Sequence, residues 1–319
     1  MKIIGTGHYL PLATLSNADL SRRVTTSDEW ITSRTGIKNR HISREENTSD
    51  LAFFAAERAL LGSTIGAGQI ELVIVATTTP DCFVPGVSHQ LINRLQIPQS
   101  MAFDLNAACT GFVYALDTAM ALMEARKFRY ALVVGAETLS KIVDWEDRET
   151  CILFGDGAGA VVLENDGANP VLYSRSCAVP DTAGTLFSGG IALNNPLVSV
   201  PQGKIAIGMK GQEVFKFAVS KVCESIDEAL ASSGIPKEEI DFYVLHQANL
   251  RILDYVAKRQ GLPKAKLYST IDRTGNTSAA SIPIALDELN GKGLLKKGMK
   301  ILLCGFGAGL TYSAMIIEW

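Results

Sequence analysis

Three segments of the chain occur twice at nearly the same separation, and this repetition constrains the fold more than any other feature. Each pair combines the same type of element, either a continuous apolar strand or a turn that leads into a helix. The offset between the members of a pair is 167 to 170 residues. The pairs are 71–76 with 241–245, the turn at Cys109 with the turn at Asn276, and 130–137 with 300–307. An offset held across three elements predicts a duplicated βαβ architecture.

The duplication predicts an α/β protein built from two similar halves, each a sheet with helices packed around it. The length of 319 residues is consistent with two such units. We place the first half at 1–166 and the second at 167–319. The segment 167–208 is rich in loop-forming residues, and we expect it to connect the halves and to run over the surface.

Composition narrows the class of protein. The chain is 47% hydrophobic and 20% charged, which is enough for a large core and unlike a disordered sequence. A net charge of −3 gives no overall basic character for binding nucleic acid. The six cysteines lack CxxC pairing and the four histidines lack metal-ligand spacing, so we expect neither disulfides nor a metal site. Without a signal peptide or a membrane-length apolar run, a soluble cytoplasmic protein is expected.

The stretch 101–128 places a cysteine at a strand-to-helix turn. Apolar residues alternate at Met101, Phe103 and Leu105, as in a strand, and the later part is apolar nearly all round, as in a buried helix. Cys109 lies between the two. Free backbone N–H groups and the helix dipole there favour a thiolate, so we expect a lowered pKa and a nucleophile. The simpler alternative is an inert buried cysteine.

His246 and Asn276 lie at comparable places in the second half. His246 follows the predicted strand 241–245, and Asn276 lies in the turn before a helix. In such sheets functional groups gather at the carboxyl ends of strands, so we expect Cys109, His246 and Asn276 around one pocket. Singly, the histidine could be a core residue and the asparagine an N-cap. Together they predict either a cysteine protease or an acyl-transfer enzyme.

Two further motifs have ordinary structural interpretations. The glycine-rich segment 155–160 precedes a strand and does not join a strand to a helix, so we interpret it as tight packing and not as a dinucleotide loop. A capping box of Thr26 and Glu29 predicts a helix start. In that helix Trp30 and Arg34 share a face, where they could form a cation–π contact or grip a flat base.

Several long motifs, in the same order, resemble those of β-ketoacyl-[acyl carrier protein] synthase III over the whole chain. The resemblance implies a thiolase-like αβαβα fold and, usually, a homodimer. The motifs are DEWITSRTGI at 28–37, AACTGFVYAL at 107–116, FGDGAGA at 154–160, HQAN at 246–249 and GNTSAASIP at 275–283.

The resemblance also implies the reaction that starts type II fatty-acid synthesis. An acyl group moves from acyl-CoA, a substrate and not a cofactor, to Cys109. Malonyl-[acyl carrier protein] then loses CO₂, and the resulting carbanion attacks the acyl-enzyme. His246 and Asn276 would stabilise the enolate. Backbone N–H groups of Cys109 and of Ala308, in the turn Gly307-Ala308-Gly309, would hold the oxyanion.

Binding residues carried over by matching motif fall into three groups. The first group is Trp30 and Arg148 around the CoA adenine, with Arg34 and Arg251 at phosphate or pantetheine, and the second is Phe83, reaching into the acyl pocket of a partner subunit. The third group would dock the acidic carrier protein and consists of Lys216, Arg251, Lys258 and Arg259. For this third group a solvated helix face is the simpler alternative, above all for Lys258 and Arg259.

Three alternatives remain open. A condensing enzyme of secondary metabolism could use the same three residues on an unusual starter. A hydroxymethylglutaryl-CoA synthase is disfavoured, because no acid other than Asp81 lies near the strand end at 77–79. A non-catalytic homologue could bind carrier protein alone, although the intact set of three side chains argues against it.

Overall fold

The computed structural model describes residues 1–168 and 171–319. Within these ranges the strands are β1 (Lys2–Tyr9), β2 (Thr14–Ser16), β3 (Asn39–His41), β4 (Leu72–Ala76), β5 (Met101–Leu105), β6 (Tyr130–Glu137), β7 (Gly157–Glu164), β8 (Val171–Ala178), β9 (Leu186–Ser188), β10 (Asn194–Asn195), β11 (Val198–Ser199), β12 (Ile207–Met209), β13 (Ile240–Leu245), β14 (Lys300–Gly307) and β15 (Thr311–Glu318). The α-helices there are α1 (Asn17–Leu20), α2 (Asp28–Thr35), α3 (Thr48–Leu61), α4 (Val87–Leu95), α5 (Gly111–Arg126), α6 (Arg148–Cys151), α7 (Gly211–Ser233), α8 (Leu250–Gln260), α9 (Ile271–Thr274) and α10 (Ser281–Gly291).

The first sheet is built from the N-terminal half, in the order β1-β7-β6-β4-β5. β4 runs parallel to β5 and β6, and β7 pairs antiparallel with β6 and β1. Every residue of β4 is buried, since the strand is a continuous apolar run covered on both faces. The carboxyl ends of β4, β5 and β6 therefore open at the same edge of this sheet.

The second sheet repeats this pattern with one strand fewer, in the order β13-β14-β15-β8. β13 and β14 are parallel and correspond to β4 and β6. At the place that β5 occupies in the first sheet, the structure has a single bridge between Tyr243 and Leu267. Asn276 is consequently preceded by the short helix α9 and not by the strand that the repeat predicts.

The two sheets enclose a central helical layer. α5 and α10 share one apolar cluster with both sheets, which includes Leu116, Leu286, Ile74 and Leu303. α3 and α4 cover the outer face of the first sheet, and α7 and α8 cover the outer face of the second. This αβαβα arrangement of two duplicated halves confirms the predicted fold class.

The loop-rich segment 167–208 is more ordered than predicted. It contains β8, a strand that pairs antiparallel with β15 at the edge of the second sheet. The sequence of β8 mixes polar and apolar residues because the strand is only partly buried, so no clear period marks it. Asn169 and Pro170, which fall in this segment, lie outside the described residues. The division into 1–166 and 167–319 stays a prediction.

Two local predictions have different outcomes. The N-cap of α2 is Ser27, whose hydroxyl accepts the Trp30 N–H at 3.2 Å, so the predicted capping box at Thr26 is wrong. The glycine interpretation is confirmed, since a Cβ on Gly159 would lie 2.6 Å from the backbone nitrogen of Ile284. Across residues 1–168 and 171–319, we find no helix with the length and apolar character needed to cross a bilayer.

Candidate active site

A cavity of about 840 Å³ opens where the carboxyl ends of strands from both sheets meet. Its lining includes Cys109 from the turn after β5, His246 from the end of β13, and Asn276 from the turn after α9. Phe306 and Gly307, at the end of β14, contribute to the same wall. The structure thus brings the three predicted groups to one cavity.

The two turns that carry Cys109 and Asn276 share a backbone feature. Ala108 has a φ of +48° and Ser278 a φ of +50°, and each begins the short turn that leads into the central helix of its half. Left-handed conformation is unfavourable for alanine, so surrounding contacts must hold it. The N–H of Ala108 donates to Oδ1 of Asn106 at 3.2 Å. The duplication therefore extends to the conformation of these turns.

Cys109 is a neutral thiol at neutral pH. Burial raises its pKa to about 12; the nearby carboxylate of Glu137 raises the pKa as well, and a hydrogen bond from Ser278 opposes the shift. The expectation of a lowered pKa for Cys109 is therefore wrong. The loss of hydration destabilises the thiolate more than the helix terminus stabilises it. The turn at Ala108–Thr110 and α5 nevertheless begin where predicted.

His246 is also neutral, for the same physical reason. Its side chain is buried, and burial lowers its pKa to about 3. Nδ1 lies 2.7 Å from the hydroxyl of Ser281, and the ring meets that of Phe306 edge-on at 5.1 Å. The N–H of His246 donates to the carbonyl of Cys304 on β14, which fixes the start of the turn. Nε2 is left as the ring nitrogen for the cavity.

Two hydrogen bonds of its backbone fix Asn276 in place. Its N–H donates to the Leu153 carbonyl at 2.9 Å, and its carbonyl accepts the Gly155 N–H at 3.0 Å. Its side-chain Oδ1 accepts the N–H of Ser278 at 2.9 Å. Because a backbone N–H can only donate, this contact assigns the amide oxygen. The amide NH₂ therefore remains as a donor for a group in the cavity.

The turn after β14 packs directly on the nucleophile. A Cβ placed on Gly307 would lie 2.8 Å from the backbone nitrogen of Cys109, so only glycine permits this approach. The hydroxyls of Thr110 and Thr311 lie 2.7 Å apart and join the two turns. Ala308 is partly exposed and lies next to the cavity wall formed by Gly307.

Comparison with known proteins identifies the family. The model for 3-oxoacyl-[acyl-carrier-protein] synthase III matches residues 103–178, and the model for its C-terminal region matches 230–319. A β-ketoacyl-[acyl-carrier-protein] synthase III of Clostridium acetobutylicum is 48% identical, over 100% of this chain and 98% of the relative. The chain belongs to the β-ketoacyl-[acyl-carrier-protein] synthase III family.

Solved structures agree with this assignment. The crystal structure of 3-oxoacyl-[acyl-carrier-protein] synthase III from Aquifex aeolicus has a TM-score of 0.93 and 42% identity, covering 100% of this chain and 99% of that one. The priming β-ketosynthase of the R1128 polyketide pathway has a TM-score of 0.92 and 33% identity, covering 99% and 95%. The predicted family, thiolase-like fold and enzyme class, an acyltransferase of fatty-acid biosynthesis, are confirmed.

Two of the arginines predicted to bind CoA pack on the indole of Trp30. The guanidinium carbons of Arg34 and of Arg148 each lie 4.8 Å from the centroid of Trp30. Trp30, Arg34 and Arg251 line the cavity. Arg148 does not, and its Nη1 donates to the carbonyl of Thr25. Trp30 and Arg148, which are predicted to sandwich the adenine, are in direct contact with each other.

Other predicted residues lie at the mouth of the cavity or away from it. Lys216 lines the mouth and is exposed. Lys258 and Arg259 are exposed in the last turn of α8, outside the cavity. Phe83 is 79% exposed and does not reach the cavity of its own chain. Their roles stay predictions.

Sequence reasoning missed three buried groups around the nucleophile and the imidazole. Ser281 contacts His246, and Ser278 lies between Cys109 and Glu137. Glu137 is fully buried at the end of β6, where the hydroxyls of the threonines at 77–79 donate to it. The statement that Asp81 is the nearest acid to this strand end is therefore wrong. The sequence signal that could have revealed Glu137 is a charged residue at the end of the otherwise apolar strand 130–137.

Proposed function

We propose that this chain catalyses the first condensation of type II fatty-acid synthesis, joining the acyl group of an acyl-CoA to malonyl-[acyl carrier protein]. The observation that carries the proposal is the convergence of Cys109, His246 and Asn276 on one cavity in a member of the synthase III family. A thiol, a neutral imidazole and a carboxamide are suited to thioester transfer followed by decarboxylation.

In the first step, the sulfur of Cys109 attacks the carbonyl carbon of acyl-CoA. The carbon–sulfur bond to CoA breaks, and the thiol proton of Cys109 ends on the CoA sulfur. The backbone N–H groups of Cys109 and Ala308 are the candidate donors to the oxyanion. The close approach of Gly307 to Cys109 supports this pairing, because it brings the two turns together.

In the second step, the bond between the carboxylate and the methylene carbon of malonyl-[acyl carrier protein] breaks, and CO₂ leaves. The electron pair becomes an enolate on the thioester oxygen, to which His246 Nε2–H and the Asn276 amide donate hydrogen bonds. Burial supports the role of His246, because a neutral imidazole is a weak acid that can donate a hydrogen bond to the enolate without transferring its proton to the carbanion. The enolate carbon attacks the acyl-enzyme, and Cys109 leaves as a thiolate that regains a proton from solvent.

The CoA moiety would occupy the mouth of the cavity. Adenine would lie between Trp30 and Arg148, which must separate to admit it, since the two side chains contact each other. Arg34 and Arg251 are positioned on the lining to meet phosphate or pantetheine. Guanidinium groups suit this task because their planar donors match phosphate oxygens.

The acidic carrier protein would dock on the exposed basic residues beside the mouth. Lys216 and Arg251 flank the opening, and Arg251 lies over the ring of Phe215 at 5.8 Å. Lys258 and Arg259 lie about 10 Å further along α8, from the rise of a helix. A row of basic residues of this length matches an acidic helix on the surface of the carrier protein better than it matches a single charged group.

A homodimer is the quaternary structure that we propose. β5 ends the first sheet with a free edge, and its Met101 is 41% exposed. Phe83 and Val84 are exposed apolar residues, and such groups favour burial in an interface. In the dimer, Phe83 of each chain would limit the acyl pocket of the other. The six free thiols are in keeping with a cytoplasmic location.

The test separates the two half-reactions. Purified protein is given a series of acyl-CoA starters, and acyl-Cys109 is measured by mass spectrometry; malonyl-[acyl carrier protein] is then added and CO₂ release is followed. We expect His246→Ala to acylate Cys109 while decarboxylating poorly, and Cys109→Ala to form no acyl-enzyme. Failure of His246→Ala to be acylated would show that the division of roles is wrong.

The same experiment distinguishes the alternatives. Preference for an aryl or other unusual starter over short acyl-CoA would place the chain in secondary metabolism, the context of its 33% identical polyketide neighbour. Absence of any acyl-Cys109 would indicate a non-catalytic carrier-binding homologue. Light scattering at several protein concentrations tests the dimer.

A further inference from the structure

Arg40, on β3, is the largest of the completely buried side chains, and it forms no ion pair with any carboxylate in the described residues. Burial lowers its pKa to about 10, so it remains charged at neutral pH. A buried cation without a counterion is costly unless its hydrogen bonds compensate. The acceptors of those hydrogen bonds therefore indicate which segments of the protein the guanidinium stabilises.

The guanidinium joins two parts of the first half that lie far apart in sequence. Nη1 donates to the carbonyl of Leu15 at 3.0 Å. Nη2 donates to Oδ1 of Asn17 at 2.9 Å and to the carbonyl of Ile152 at 2.8 Å. Three acceptors around one planar group suit arginine and not lysine, whose ammonium lacks the fixed fork.

Ile152 begins the segment that holds Asn276. Within 152–155, the carbonyl of Leu153 accepts the N–H of Asn276, and the N–H of Gly155 donates to its carbonyl. The Cβ atom of Arg40 also packs against Gly155 and Gly275, since a Cβ added to either glycine would lie 3.1 Å from it. Arg40 thus contacts the segment at Ile152 and packs against both glycines beside Asn276.

We propose that Arg40 is a positioning residue that fixes segment 152–155, and through it orients the carboxamide of Asn276 for decarboxylation. This inference rests on the proposed function, because it assigns Arg40 to the step in which Asn276 acts. A role confined to Asn276 implies that acylation of Cys109 depends little on Arg40, since the backbone hydrogen bonds of 152–155 run to Asn276.

The test compares Arg40→Lys with Arg22→Lys, an exposed arginine on the same half. We expect the decarboxylation kcat of Arg40→Lys to fall roughly 10- to 100-fold while Cys109 acylation stays within about threefold, because small displacements of a positioned group cost rate. Arg22→Lys should match the wild type in both. Rates are measured below the melting temperature; if Arg40→Lys does not fold, Arg40→Gln, which removes the buried charge and shortens the side chain, replaces it.

A double-mutant cycle with Asn276→Ala separates positioning from general stability. If Arg40 acts through Asn276, adding Arg40→Lys to Asn276→Ala lowers decarboxylation no further. Additive losses, or an equal fall in both half-reactions, would overturn the inference. If Asn276→Ala itself leaves decarboxylation unchanged, the proposed role of Asn276 fails. If Asn276→Ala slows decarboxylation and Arg40→Lys does not, only the role of Arg40 fails.

Discussion

The hydroxyl of Ser281 lies 2.7 Å from Nδ1 of His246, inside the protein and next to the candidate active site. The same oxygen accepts the N–H of Gln247 at 3.4 Å, so its hydrogen is available to the imidazole. When Ser281 donates to Nδ1, the ring proton resides on Nε2, at the cavity. This tautomer is the one that can donate to an enolate, and we expect the contact with Ser281 to favour it.

Replacement of Ser281 by alanine should slow decarboxylation more than acylation. The variant leaves Nδ1 without its partner, so the ring can adopt the other tautomer, and we expect a decrease in kcat of roughly 10- to 100-fold. Ser21→Ala, at an exposed serine, is the matched control. Timed CO₂ release from malonyl-[acyl carrier protein] gives the comparison, and equal rates for wild type and Ser281→Ala would exclude tautomer control by this residue.

His246 should make the protein less stable in acid. Its pKa is about 3 when folded and has an ordinary value of 6.5, so between these values the unfolded chain binds the extra proton and the free energy of unfolding falls as the pH falls. From pH 6.5 to pH 5 the expected loss is about 2 kcal/mol. Urea unfolding of wild type and His246→Gln at several pH values measures it, with His89→Gln as an exposed control. Parallel pH profiles for wild type and His246→Gln would contradict the prediction.

Sequence patterns predicted those parts of the fold that depend on local periodicity. The periodicity of 211–233 is that of an amphipathic helix followed by a glycine, and α7 has the same bounds, because Gly234, at φ +69°, ends it. The constant offset of 167 to 170 residues predicted the layered fold, since each repeat must bury the same apolar faces.

The rest depends on contacts between distant residues. The sequence places Cys109 at a turn but does not show how much water the fold removes from its sulfur, so the predicted direction of its pKa was wrong. Thr110 and Thr311 meet across 201 positions, and Arg40 meets the Ile152 carbonyl across 112. No local pattern specifies such pairs.

The neutral state of Cys109 has a direct chemical consequence. With a pKa of about 12, its thiolate fraction rises tenfold with each pH unit, so alkylation by iodoacetamide should accelerate about 100-fold from pH 7 to pH 9. A Cys82→Ser background removes the exposed thiol. Mass spectrometry of the peptide that contains Cys109 gives the rate. A plateau below pH 8 would instead support the thiolate that the helix terminus alone predicts.

Trp30 should affect only the use of acyl-CoA. Removing the indole in Trp30→Ala takes away one wall of the proposed adenine site, and we expect KM for acyl-CoA to rise roughly tenfold, in keeping with the energy of an aromatic stack. Decarboxylation of malonyl-[acyl carrier protein] by pre-acylated enzyme should be unchanged. Arg23→Ala, at a nearby exposed residue, is the control. A KM unchanged in Trp30→Ala would place the adenine elsewhere.

Gly307→Ala should separate the two turns that form the candidate oxyanion site. The added Cβ would lie 2.8 Å from the nitrogen and 3.1 Å from the Cβ of Cys109, so the backbone of one turn must shift. We expect a loss of about 1–3 kcal/mol in stability from overpacking and a fall of roughly 100-fold in the acylation rate. Gly68→Ala is the control, because a Cβ there would meet nothing within 4 Å. Acylation of Cys109 by acyl-CoA, timed by quenched mass spectrometry beside a thermal unfolding curve, measures both effects. Wild-type acylation in Gly307→Ala would mean that Cys109 does not depend on this turn, and the oxyanion donors would have to be sought on another element.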